Sequence, residues 1–76
     1  MELKEFVEKF AEQFDDTDPS EITPSTVFHD LDEWSSLIAL GVIAMVYEDY
    51  DVTLKGNDVK DAVTVEDLYN TVKSKL

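Results

Sequence analysis

The sequence predicts an all-α protein: a small antiparallel bundle of three main helices and one short helix, with a long first loop. Apolar residues recur at helical spacing at both ends of the chain, a long apolar run lies between them, and no segment makes a convincing strand. The 76 residues leave room for one domain, residues 1–76, with one small core.

Leu3, Phe6, Val7, Phe10 and Phe14 fall on one helical face, with Glu2, Lys4, Glu5, Glu8, Lys9 and Glu12 interleaved on the other, so a first helix is expected over about residues 2–14. The stretch "DDTDPSEITPST" breaks any period with two prolines, aspartates and hydroxyl residues. It reads as an ordered connection, anchored by Val27, Phe28 and Leu31.

Residues 36–50 are apolar almost all round. The spacing predicts a central helix with Leu37, Leu40, Ile43, Ala44 and Tyr47 as its inward stripe, broadened by Val42, Met45 and Val46. Its four-turn length and its Leu, Ala and Met content favour helix over buried strand. Gly56 and Asn57 mark a turn, and a short helical piece follows at about residues 58–62. Thr64 has the character of an N-cap, with Glu66 and Asp67 in the first turn behind it. Val65, Leu68, Tyr69, Val72 and Leu76 then form a last amphipathic stripe, and Lys73 and Lys75 suit its C-terminal end.

Composition narrows the chemistry. A hydrophobic content of 43% supports a packed core. No cysteine is present, so the chain itself offers no disulfide, thiolate nucleophile or cysteine metal site. Eighteen Asp and Glu against six lysines give a net charge of -12, which repels nucleic acid and anionic lipid and favours protein partners with basic patches. The opening "MELKEFVEKF" lacks the regions of a secretory signal, and no apolar run reaches the roughly 18 residues of a membrane span; a cytoplasmic location without membrane insertion is expected.

The segment "EWSSLIALGVIAMVYEDYDV" places two serines at the mouth of the apolar helix. Ser35 is expected to be the N-cap, its hydroxyl directed at unpaired backbone N–H groups. Ser36 is then the first helical residue, with its hydroxyl free beside the positive end of the helix dipole, a setting that favours an attached or bound phosphate. Serine is so favoured at helix starts that position alone assigns the pair no function beyond starting the helix.

The wider pattern does. "VFHDLDEWSSLIALGVIAMVYEDYDVTL", followed by "AVTVEDLY", resembles the acyl carrier protein family over nearly the whole chain. Phe28 and Leu31 match the family's apolar anchor, Ser36 and Leu37 its modified serine and following leucine, and Thr64 and Val65 the start of its last helix. The resemblance implies a non-catalytic carrier whose Ser36 receives 4′-phosphopantetheine from coenzyme A. The thiol of that arm would hold acyl groups as thioesters, in fatty-acid or specialised acyl or polyketide-type biosynthesis. Implied partners are a phosphopantetheinyl transferase and acyl-transferring and chain-modifying enzymes whose basic patches meet the second helix. Val46, Leu54, Val59, Ala62 and Leu68 match positions that line the family's acyl pocket.

Three departures stand out. The family's aspartate before the modified serine, which helps bind the metal used by the transferase, is Ser35 here; a hydroxyl still caps but is a poorer ligand for a hard cation. Asp32 and Glu33 lie near enough in sequence to offer a substitute. Ile38 and Gly41 occupy docking positions that often carry acids, so the partner surface is expected to be less electrostatic than usual, with Glu48 and Asp49 keeping its acidic end. Ile38 also reads as a core position, and Gly41 as a close-packing site. Trp34 is expected to pack near Ala39 or to lie beside the arm, and His29 to pack within the loop.

Three other readings compete with this one. An EF-hand register from Asp51 fails, because Thr53, Lys55 and Ala62 occupy ligand positions although Gly56 fits. One histidine, no cysteine and no glycine-rich phosphate loop leave no catalytic constellation. An acidic protein-interaction domain with no prosthetic group fits the charge and size equally well and has no need of Ser36. The high charge favours a monomer.

Overall fold

The computed structural model describes all residues from 1 to 76. It contains four helices, α1 (Leu3–Ala11), α2 (Ser36–Tyr50), α3 (Gly56–Asp61) and α4 (Val65–Ser74), with single 3-10 turns at Pro19–Glu21 and Phe28–Asp30 in the first connection. The expected all-α architecture is what forms: α1 packs against α4 and α2, and α3 packs against α4.

α1 stops earlier than expected because its last turn tightens. Gln13 N donates to Phe10 O and Phe14 N to Ala11 O, both at 3.1 Å, so the chain leaves the helix in 3-10 geometry while Phe14 still reaches the core. α3 starts two residues earlier than expected, and Gly56 and Asn57 are its first residues instead of a separate turn. The Asp58 carboxylate explains this: its Oδ2 accepts from Lys55 N at 2.9 Å and satisfies a donor at the helix start. Thr64 caps α4 as expected, accepting from Asp67 N at 3.1 Å while Asp67 Oδ2 accepts from Thr64 N at 3.0 Å. Leu76 lies beyond the end of α4 and is exposed.

Every buried residue is apolar, and an aromatic group forms the middle of the core. Phe10 meets Phe28 edge-on at 5.4 Å and stacks near-parallel with Trp34 at 6.3 Å, while Phe6 meets Tyr69 edge-on at 5.8 Å. The first connection is held at several points. Phe28 and Ile22 are buried, Leu31 is half-buried, and Val27, though exposed, forms an antiparallel bridge with Thr64.

The face that α2 buries differs from the expected one. Val42, Met45 and Val46 are buried, and Ile38, Ala39 and Ile43 pack partly against the core. Leu37, Leu40 and Tyr47 instead stand 77%, 63% and 58% exposed, with Ala44 exposed between them. A helix apolar on every side supports two stripes at helical spacing, so periodicity alone does not choose between them. The anchored loop and the pairing of Lys9 with Asp49 at 3.2 Å, which joins α1 to the far end of α2, accompany the orientation adopted.

Candidate functional site

The site is built at the start of α2. Ser35 is extended, with φ -156° and ψ 172°, and its Oγ accepts from Ile38 N at 3.3 Å while its carbonyl accepts from Ala39 N at 2.9 Å. The cap role expected of Ser35 is therefore filled. Ser36 is the first residue of the helix and is exposed, and no protein group engages its hydroxyl. The two serines divide the work: one hydroxyl is committed to the backbone and its neighbour is free for chemistry.

Electrostatics at this end suit an anion. α1, α3 and α4 each carry an acid in the first turn, whereas α2 carries none, so the positive end of its dipole has no internal counter-charge.

Beside Ser36 opens a cleft of about 250 Å³ lined by His29, Trp34, Ser35, Ser36, Ala39, Ile43, Gly56, Val59 and Lys60. Ala39, Ile43 and Val59 supply apolar surface between α2 and α3. Trp34 does two jobs, since it packs on Phe10 and Phe28 and also lines the cleft. His29 is placed by its Nε2–H, which donates to the carbonyls of Val59 at 3.2 Å and Ala62 at 3.0 Å, and its ring lies 4.3 Å from that of Phe28. It packs within the loop as expected and also ties that loop to the end of α3.

Of the acyl-pocket candidates, only Val59 lines this cleft. Val46, Leu54, Ala62 and Leu68 are buried in the close-packed core behind it. Leu37, beside Ser36, points to solvent. Among the docking candidates, Ile38 packs partly against the core and Gly41 is half-buried against Gln13. Asp49 is partly engaged by Lys9, and Glu48 is exposed. The open face of α2 thus consists of Leu37, Leu40, Ala44 and Tyr47, residues that periodicity had assigned to the core.

Glu33 does not serve as a spare carboxylate near Ser36. Its Oε2 accepts from Asp15 N at 2.7 Å, and its Oε1 accepts from Asp16 N at 3.0 Å and from Thr17 Oγ1 at 2.7 Å. The Thr17 hydroxyl holds its carboxyl below the usual carboxylate value, opposed by desolvation and helped by the backbone amides of Asp15, Asp16 and Thr17. Asp32 stays exposed, and no group of three or more His, Asp or Glu side chains is arranged to hold a metal ion.

A phosphate-linked arm fits what is present: a free, exposed hydroxyl at an uncompensated helix start, with a half-apolar cleft beside it. The family model described as a phosphopantetheine attachment site matches residues 4–72. Comparison with curated proteins and with solved structures returned no match. A match from the first turn of α1 to the last turn of α4 takes in every helix and the site together, and the chain accordingly belongs to the phosphopantetheine-binding carrier family, whose prosthetic group is 4′-phosphopantetheine.

Proposed function

We propose that Ser36 is the attachment point and that the protein is a non-catalytic carrier of acyl groups in fatty-acid or specialised acyl biosynthesis. The observation that carries the assignment is the division of the serine pair, with Ser35 Oγ committed to Ile38 N and Ser36 Oγ free. In the modification, Ser36 Oγ displaces the nucleotide half of coenzyme A from the phosphorus next to pantetheine. The phosphoanhydride bond breaks, a phosphodiester forms, and the hydroxyl proton is released. The arm supplies a thiol that forms thioesters, the group a cysteine-free chain cannot provide.

The residues of the chain then have separate tasks. Ser35 keeps the helix start in place, Trp34 and Val59 wall the cleft beside the attachment point, and α2 presents the partner surface. That surface combines an apolar stripe, Leu37, Leu40, Ala44 and Tyr47, with the acidic end at Glu48 and Asp49. It suits transferases and acyl-handling enzymes whose docking faces are apolar in the middle and basic at one edge. The -12 charge disfavours pairing with a second copy, and the need for coenzyme A fits a cytoplasmic carrier.

Intact-mass analysis after incubation with coenzyme A, magnesium and a broad-specificity phosphopantetheinyl transferase tests this reading. One added phosphopantetheine, lost in Ser36→Ala and kept in Ser35→Ala, is expected. A protein that stays unmodified with several transferases would instead be an acidic interaction domain that has the carrier fold without its chemistry.

A further inference from the structure

We propose that Lys60 is the counter-ion of the phosphodiester formed on Ser36, so that attachment of the arm draws α3 towards the start of α2; this rests on Ser36 being the attachment point. The surface has four depressions. Three are acidic: one contains Glu8, Glu12 and Asp15, a second includes Asp16, Glu21 and Asp32 among its acids, and a third contains Glu48 and Asp49. The cleft beside Ser36 contains no carboxylate, in a chain with 18 of them, and it is the only depression lined by a lysine.

That lysine is uncommitted. The three ion pairs of the protein engage Lys9 and Lys75, and none involves Lys60, although Asp61 follows it directly. Its backbone is well placed for the role, because His29 holds the carbonyl of Val59, the preceding residue, and that of Ala62. A lysine stem is flexible and ends in a compact charge, so it can follow a phosphate tethered at one end without demanding a single geometry. The cleft offers about 250 Å³ beside Ser36, room for a phosphodiester and the first atoms of the arm. Ser35 contributes by what it lacks: an acid at that position would sit in the same cleft and compete for the lysine.

The test compares apo and phosphopantetheine-loaded forms of the wild type, Lys60→Gln, Lys60→Arg and Lys55→Gln. It reads amide hydrogen exchange along α3 and the phosphorus resonance of the phosphodiester at low and high salt. An exposed ion pair changes a local opening equilibrium by about two- to fivefold. Loading is therefore expected to slow exchange at Val59, Lys60 and Asp61 by about that factor in the wild type, Lys60→Arg and Lys55→Gln. The slowing should be absent in Lys60→Gln and fade at high salt, with the phosphorus resonance moving in parallel. Equal slowing in the wild type and Lys60→Gln, or slowing that ignores salt, would overturn the role of Lys60 while leaving the attachment point intact. Failure of the wild type to gain the mass of the arm would overturn the attachment reading and this inference with it.

Discussion

Replacing Gly41 by alanine should make the protein more stable. Gly41 lies in the interior of α2, where glycine costs about 1 kcal/mol relative to alanine. An added Cβ would sit 3.1 Å from Gln13 Oε1 and 4.0 Å from Gln13 Cδ. The closer contact is tight, but it is made with the end of a flexible side chain that has only to shift by a few tenths of an ångström. Gln13 is held there by one bond, Nε2 to Lys9 O at 3.2 Å. A typical bond of this kind contributes about 0.5–1.5 kcal/mol, and the required shift forfeits only part of it. The helix term outweighs that loss, leaving a net gain of about 0.5 kcal/mol, or a rise in Tm of about 2–4 °C for a domain of this size. Thermal melts of the apo wild type and Gly41→Ala, followed side by side by circular dichroism, would show it. A loss of about 1 kcal/mol or more would refute the reasoning and make Gly41 a required close approach between α2 and the end of α1. An alanine variant that is stable yet modified more slowly by the transferase would place Gly41 in the docking surface instead.

Three further outcomes are expected. Glu33→Gln should speed hydrogen exchange at the Asp15 and Asp16 amides and lower stability at neutral pH; because the folded-state value of Glu33 is depressed, its contribution is present above the unfolded-state pKa of about 4.3 and lost as pH falls through the folded value, so urea melts of the pair should converge on acidification below that range. Ser35→Asp should keep the cap and accelerate loading by a general transferase, because a carboxylate is the better ligand for magnesium; equal or slower loading in a timed mass assay would remove that explanation. With a net charge of -12 on a small bundle, Tm should rise on adding salt or a divalent cation, and a melting curve unchanged across ionic strength would contradict the premise of self-repulsion.

What the sequence made legible was local. The ends of α2, the Ser35 cap and the Thr64 cap are signalled by residues within three positions of where they act, and all formed as expected. The inward face of α2 was not legible, because Leu37, Leu40 and Tyr47 are as apolar as Val42, Met45 and Val46, and only the tertiary arrangement distinguishes them. Two devices that shape the site join residues far apart in the chain. Glu33 reaches back to Asp15, Asp16 and Thr17, and His29 reaches forward to Val59 and Ala62. Their residue types carry no mark of such partners, and the same holds for the acid-free cleft, whose walls come from separate segments. Leu40, Ala44 and Tyr47 could have been found only by asking which side of an all-apolar helix its neighbours leave uncovered.

The uncovered side of α2 also governs how the protein behaves in concentrated solution. At neutral pH mutual repulsion keeps the stripe of Leu37, Leu40 and Tyr47 on one molecule away from the same stripe on the next. Near the isoelectric point of about 4.1 that protection vanishes while the apolar surface remains, and copies should cohere through α2 before they unfold. Acid precipitation of this protein should thus be reversible on return to neutral pH, and blocked by a charge placed at Leu40.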